Sequence, residues 1–200
     1  MRKMLSLLMV AVLLLSMLPA MAEDVPAHVL VVYFSRPGEN WNVGVIEEGN
    51  TAKLAKTIAA QTGADLFEIV PETPYPSDYD STLDIATREK NENARPVYLG
   101  DVENWAQYDT VFIGYPIWWG GMPCIMYTFL ESHDFSNKTV IPFNAHEGSG
   151  QAGTQRDLEG RLPDITILQG LAVKGSRAQH DADTLGSKIE SCKMAKTYRY

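Results

Sequence analysis

Apolar positions along this chain alternate between two periods. Residues 28–34, His-Val-Leu-Val-Val-Tyr-Phe, form a continuous β-branched and aromatic run, the pattern of a strand buried on both faces. Leu54, Ala55, Ile58 and Ala59 then recur at helical spacing, which predicts a helix over 51–62 that ends before Gly63. A second strand is expected over 64–70, a loop over 71–76, and a polar, solvated helix over 78–93. The apolar run 110–115 reads as a third buried strand, followed by a short helix over 122–132. Residues 138–144 give a fourth strand and 151–161 a helix. Residues 165–171 give a fifth strand, interrupted near Gly170, and 181–193 a closing helix.

Alternation of buried strands with helices implies an α/β fold with a mostly parallel sheet and helices on both faces. Five such strands suit the doubly wound order 2-1-3-4-5. In that arrangement ligands bind beyond the carboxyl ends of the strands, where the order reverses. The unusual residue clusters of this sequence fall at those ends.

The first 22 residues follow another pattern. Arg2 and Lys3 precede an almost unbroken apolar run from Met4 to Leu18, and Pro19 leads into Ala20-Met21-Ala22. This is the layout of a secretory signal peptide. The run is shorter than the roughly 20 residues of a membrane-spanning helix. An uncleaved anchor is the alternative. The expected domains are therefore a signal peptide over 1–22 and one globular domain over 23–200, exported from the cytoplasm and without a stable membrane span once cleaved.

Losing residues 1–22 removes two basic residues and no acidic one, so the formal net charge moves from −8 to −10. No basic cluster reverses this, which argues against nucleic acid as a partner. Cys124 and Cys192 are too few and too far apart for a metal motif; two buried thiols and one disulfide both remain open.

Three strand-end loops carry candidate chemistry. The first runs from Ser35-Arg36-Pro37-Gly38 to Gly49-Asn50-Thr51, which opens a helix. Helix starts present unpaired N–H groups and hold phosphate, although Asn50 or Thr51 as a plain N-cap explains the residues equally well. Glu47 and Glu48 would repel phosphate and are expected to face solvent. The second loop, Tyr115-Pro116-Ile117-Trp118-Trp119-Gly120-Gly121-Met122-Pro123, sets two tryptophans beside two glycines. A planar ring is a fitting partner for exposed indoles. One tryptophan is expected to plug the core, and the sequence does not say which. The third loop, Asn144-Ala145-His146-Glu147-Gly148-Ser149-Gly150-Gln151, surrounds a histidine with small residues; a donor to a ligand and a surface histidine in a turn both fit. Ser149 near His146 lacks the strand–Ser–helix elbow of a hydrolase.

Together Val31-Val32-Tyr33-Phe34-Ser35-Arg36, Gly49-Asn50-Thr51, Gly114-Tyr115-Pro116-Ile117-Trp118-Trp119-Gly120 and His146-Glu147-Gly148-Ser149-Gly150 resemble the flavodoxin-like family. More narrowly they resemble its bacterial branch with YFS, YPxWWG and HxGSG-type loops. The resemblance implies a doubly wound three-layer sandwich with FMN as cofactor. It places the FMN phosphate at Ser35, Arg36, Asn50 and Thr51. It places the flavin ring between Pro116, Ile117, Trp118, Trp119 and Gly120 on one loop and Ala145, His146, Gly148, Ser149 and Gly150 on the other. Short flavodoxins have a compact first loop; here residues 36–48, including Trp41, are inserted and can fold over cofactor or substrate. The function expected is electron transfer or oxidoreduction outside the cytoplasm, with a redox protein or a small acceptor such as a quinone as partner, in a monomer or a dimer. An FMN-dependent NAD(P)H:quinone-type reductase is the alternative. A flavin-less binding module is a third reading, since fold does not fix function.

Overall fold

The structure, a computed structural model, describes residues 28–180. The expected signal peptide, the closing helix over 181–193 and Cys192 lie outside the described residues.

Five parallel strands make the centre of the molecule: β1 (Val29–Tyr33), β4 (Asp65–Glu68), β7 (Thr110–Pro116), β8 (Thr139–His146) and β10 (Leu171–Lys174). They lie in the order β4-β1-β7-β8-β10, with the short β9 (Thr166–Ile167) also on β8. Counted along the chain this is 2-1-3-4-5, the order expected from the sequence. Two small antiparallel ribbons stand outside the sheet: β2 (Gly38–Asn40) with β3 (Gly44–Ile46), and β5 (Val70–Pro71) with β6 (Tyr98–Leu99).

The helices are α1 (Asn50–Thr62), α2 (Tyr79–Glu92), α3 (Cys124–Ser132), α4 (Thr154–Arg161) and α5 (Gly175–His180). Because side chains alternate across a strand, β1 feeds both faces of the sheet. Val31 and Tyr33 pack with Leu54, Ala55 and Ile58 of α1 and Ala178 of α5. Leu30 and Val32 pack on the other face with Ile125, Met126 and Phe129 of α3 and Leu158 of α4. The result is the three-layer sandwich. The central strands are buried along nearly their whole length, which is why their sequences run apolar without alternation.

Several boundaries differ from the sequence expectation, each for a local reason. The second strand is shorter than 64–70, because Val70 leaves the sheet to pair with Leu99. The fifth strand is split and runs on to Lys174 rather than ending at Leu171. Val140 O accepts from Leu168 N–H, so period 2 turns Pro142 to the same side of β8, where it has no N–H to offer. The chain detaches there, and Gly170 lies close enough that a Cβ would come within 2.8 Å of the Pro142 ring. Residues 151–153 form turns, so α4 starts only at Thr154. A helix opens at Gly175, ahead of the expected start at 181. The N-cap of α1 is Gly49, not Asn50 or Thr51. Cys124, immediately after the N-cap Pro123 of α3, is a buried free thiol whose pKa burial pushes up.

Candidate functional site

The carboxyl ends of β1, β7 and β8 open onto one cleft of about 340 Å³, within the size range of small-molecule sites. Ser35, Arg36, Asn50, Thr51, Pro116, Ile117, Trp118, Trp119, Gly120, Ala145, His146 and Ser149 line it. Gly148 and Gly150 are not part of this lining and shape the third loop.

At the first loop the chain closes tightly on the start of α1. Ser35 Oγ accepts the Ala52 N–H at 3.0 Å, which leaves its own hydroxyl proton to donate elsewhere. The N–H groups of Asn50 and Thr51, at the start of the helix, have no preceding turn to bond to. A Cβ on Gly49 would lie 2.2 Å from Ser35 Oγ and 2.7 Å from Arg36 O, so only glycine permits this approach. Asn50 Oδ1 accepts from Gln179 Nε2 at 2.8 Å, tying the start of α1 to α5. Arg36 lines the cleft, but its guanidinium donates to Pro76 O at 2.9 Å, Ser77 O at 3.2 Å and Glu39 O. Burial holds its pKa below the ordinary value, against the opposing pull of Asp78 and Glu39. The cradle at α1 therefore offers backbone dipoles and hydroxyls rather than a free cation. Glu47 is exposed, and Glu48 is drawn to Lys56 at 2.5 Å, outside the cleft lining.

The second loop answers which tryptophan is structural. Trp118 sits edge-on to Phe34 at 5.5 Å and to Tyr75 at 5.1 Å, sealing the core beneath the loop. Trp119 is 51% exposed and borders the cleft. Trp118 and Gly121 exchange both backbone hydrogen bonds, at 3.0 and 2.9 Å, around a two-residue turn in which Trp119 (φ 50°) and Gly120 (φ 72°) are left-handed. Lys90 Nζ donates to Trp119 O at 2.8 Å. Ile117 N–H donates to Ala145 O at 2.9 Å, locking the second loop to the third.

In the third loop His146 Nδ1 accepts the N–H groups of Gly148 and Gly150, at 3.0 and 3.1 Å. Two donors at Nδ1 place the proton on Nε2, so the ring is a neutral donor. Burial holds its pKa below the ordinary value; Glu147 raises it and Lys174 lowers it. Gly148 (φ 114°) and Gly150 (φ 61°) adopt the left-handed backbone that folds the loop back onto the ring. Glu147, also at the cleft, accepts the Ser176 N–H at 2.8 Å.

A flavodoxin family model matches residues 28–189. The chain belongs to the flavodoxin family. No curated protein matches it. Among solved structures, a candidate flavoprotein of Bacteroides eggerthii is 32% identical with a TM-score of 0.68, over 84% of this chain and 98% of that one. A second, from Bacteroides uniformis, is 30% identical with a TM-score of 0.67, over 82% and 98%. A flavoprotein of Lactobacillus acidophilus in complex with FMN shares the fold at 21% identity and a TM-score of 0.59, over 82% and 99%.

Part of this flavodoxin cleft escaped the sequence. The helix over 78–93 reads as solvated, yet Tyr79, Thr82, Leu83 and Ala86 form one wall of the site. Their spacing of three and four is a narrow helical stripe, diluted by the charged residues between them. The inserted residues fold into the β2–β3 hairpin, which packs on α2 and brings Asn40 and Trp41 to the cleft. Glu147 and Gly175 complete the lining. Behind the Trp118–Trp119 turn a smaller cavity of about 170 Å³ reaches Glu89, Cys124 and Tyr127. Burial raises the Glu89 carboxyl and pushes the Tyr127 phenol up to about 12.

Proposed function

We propose that this protein binds one FMN in the cleft and uses it for electron transfer outside the cytoplasm. The observation that carries this reading is the convergence of a cradle of backbone N–H groups and hydroxyls at α1 with an exposed indole on a strained turn. The cradle suits a phosphate: the Asn50 and Thr51 N–H groups, the Ser35 hydroxyl proton and the Thr51 hydroxyl are available donors at a helix start. Trp119 offers a flat face to a ring system, and His146 Nε2–H a neutral donor to a ring carbonyl or nitrogen. FMN supplies one- and two-electron chemistry; the chain binds it, orients it and sets the field around it. The FMN complex of the Lactobacillus acidophilus protein, which shares the fold, supports flavin as the ligand. Export is supported by the signal-like layout of residues 1–22. The electrons would pass to or from a redox protein or a small acceptor.

An FMN-dependent reductase of small acceptors such as quinones is the second reading. The Trp41 hairpin favours it, because it walls one side of the cleft, and a simple carrier needs only an exposed flavin edge.

The test is a titration of the purified protein with FMN and with riboflavin, followed by quenching of flavin fluorescence. One-to-one quenching by FMN is expected. Replacing Ser35 and Thr51 together with Ala removes two hydrogen bonds to a charged group, each worth about 1.5–3 kcal/mol, so FMN affinity falls by about a hundredfold or more. Riboflavin, which lacks the phosphate, loses far less. Equal loss for both flavins would remove these hydroxyls from the phosphate site, and no flavin binding by folded protein would end the redox reading.

A further inference from the structure

Trp41 stands at the turn of the β2–β3 hairpin, 60% exposed, and lines the same cleft as Trp119. A single exposed indole is ordinary on a protein surface, but one held rigidly in the wall of a cleft offers a flat face to a planar ligand. This loop is fixed. Glu39 N–H donates to Ser77 O at 2.7 Å, and Glu39 Oε2 accepts the Tyr79 N–H at 3.0 Å, at the first residue of α2. Arg36 bridges from below to the carbonyls of Pro76, Ser77 and Glu39. Gly38 (φ 89°) lies so close to this segment that a Cβ would fall 2.5 Å from Ser77 O. The Trp41 ring leans on that of Tyr79, 5.6 Å between centroids and tilted by 36°. Two aromatic faces are thus held in place before any ligand arrives, which removes much of the ordering cost of binding.

The charges around them narrow the ligand. Among the described residues that line the cleft, Arg36 and Glu147 are the only charged ones. Arg36 is committed to three carbonyls, and Glu147 to the Ser176 N–H. The Glu39 carboxylate beside Tyr79 is likewise engaged by a backbone N–H. Beyond the α1 cradle, the described lining residues offer no uncommitted cation for a second phosphate-bearing or carboxylate ligand. It offers rings.

We propose that Trp41 and Tyr79 form a second ring-binding position, distinct from that of the flavin, for an uncharged planar aromatic ligand of the quinone type. This rests on the reading of the remaining cleft as the flavin site. The three strand-end loops supply phosphate and ring contacts without Trp41, so the hairpin face is left for the second ring.

The decisive experiment measures binding of naphthoquinone to the oxidised, FMN-loaded protein by saturation-transfer NMR, with flavin retention followed in the same samples by fluorescence. Both partners are oxidised, so nothing turns over. Trp41→Ala should weaken naphthoquinone about tenfold or more, the scale of one lost aromatic stacking contact with its buried area, and leave FMN affinity within about twofold. Trp41→Phe should restore most of the loss. Unchanged naphthoquinone binding in Trp41→Ala would overturn the proposal. So would a parallel loss of FMN, which would assign Trp41 to the flavin itself. Should the wild-type protein hold no FMN, the flavin reading falls separately. The same titration on flavin-free protein then decides: dependence on Trp41 upholds the ring position, and independence removes it.

Discussion

A histidine that accepts two backbone N–H groups at one ring nitrogen cannot be protonated there without losing both. His146 is in that position, and its two donors, Gly148 and Gly150, hold the third loop against the cleft. Its folded pKa lies below the ordinary imidazole value, chiefly through burial, with Lys174 adding to the shift and Glu147 opposing it. The sign of the linkage follows. The unfolded or open chain binds the proton first, so the contribution of the closed loop is complete above the ordinary value near ~6.5 and is lost as pH falls from there toward the depressed folded value. FMN affinity should therefore decline in the mildly acidic range, below about pH 6.5. A fluorescence titration from neutral to acid pH reads this directly. His146→Asn, which keeps an acceptor oxygen at the loop but does not titrate, should flatten the profile while retaining binding at neutral pH. A wild-type profile that is already flat would mean that His146 does not couple loop closure to the cofactor.

At the scale of the element, the Trp118–Gly121 turn places a bulky side chain where Asn is the usual choice. Two-residue turns with both central residues left-handed favour Asn-Gly, and a left-handed non-glycine costs about 1–2 kcal/mol. The fold tolerates this at Trp119, whose ring reaches the cleft and is half exposed, so the ring itself contributes little to the core. Strain kept at a ligand-facing residue points to function. Trp119→Asn should raise the Tm of the flavin-free protein by about 2–4 °C, as expected from roughly 1 kcal/mol in a domain of this size. It should at the same time weaken FMN. Thermal unfolding with a parallel flavin titration checks both, and a lower Tm with unchanged FMN affinity would make Trp119 a structural residue. Elements also mark how far the sequence could be read. Strands buried on both faces, such as Val31 to Phe34 and Val111 to Tyr115, announce themselves because nothing but packing decides their residues. The split at Gly170 was visible, but not its partner Pro142, since sheet neighbours are set by tertiary pairing. The wall of α2 and the hairpin carrying Trp41 were hidden. Their cleft-facing residues are few, lie among charges, and gain meaning only where three distant segments meet. Which of the two adjacent tryptophans turns inward likewise depends on Phe34 and Tyr75, remote in sequence.

The whole molecule adds a field to these contacts. The chain carries 25 acidic and 17 basic residues. Among the described residues that line the cleft, the one cation, Arg36, is bound up with carbonyls, whereas Glu147 stands on the third loop. Reduction that leaves a negative charge on a bound flavin works against this net acidic charge, so the expected outcome is a midpoint potential below that of free FMN, offset in part by Lys90 and Lys174 near the second and third loops. Much of that field comes from exposed carboxylates, and salt screens exposed charges beyond a Debye length of about 10 Å at 0.1 M. An anaerobic potentiometric titration at low and at high ionic strength separates the two contributions. The potential should rise with salt by some tens of millivolts if net charge sets it. A potential that does not move with salt would assign the tuning to contacts made directly at the ring, such as Trp119 and the His146 donor. The acidic surface would in that case act on association instead: with a basic redox protein as the probe, the on-rate should fall as salt increases.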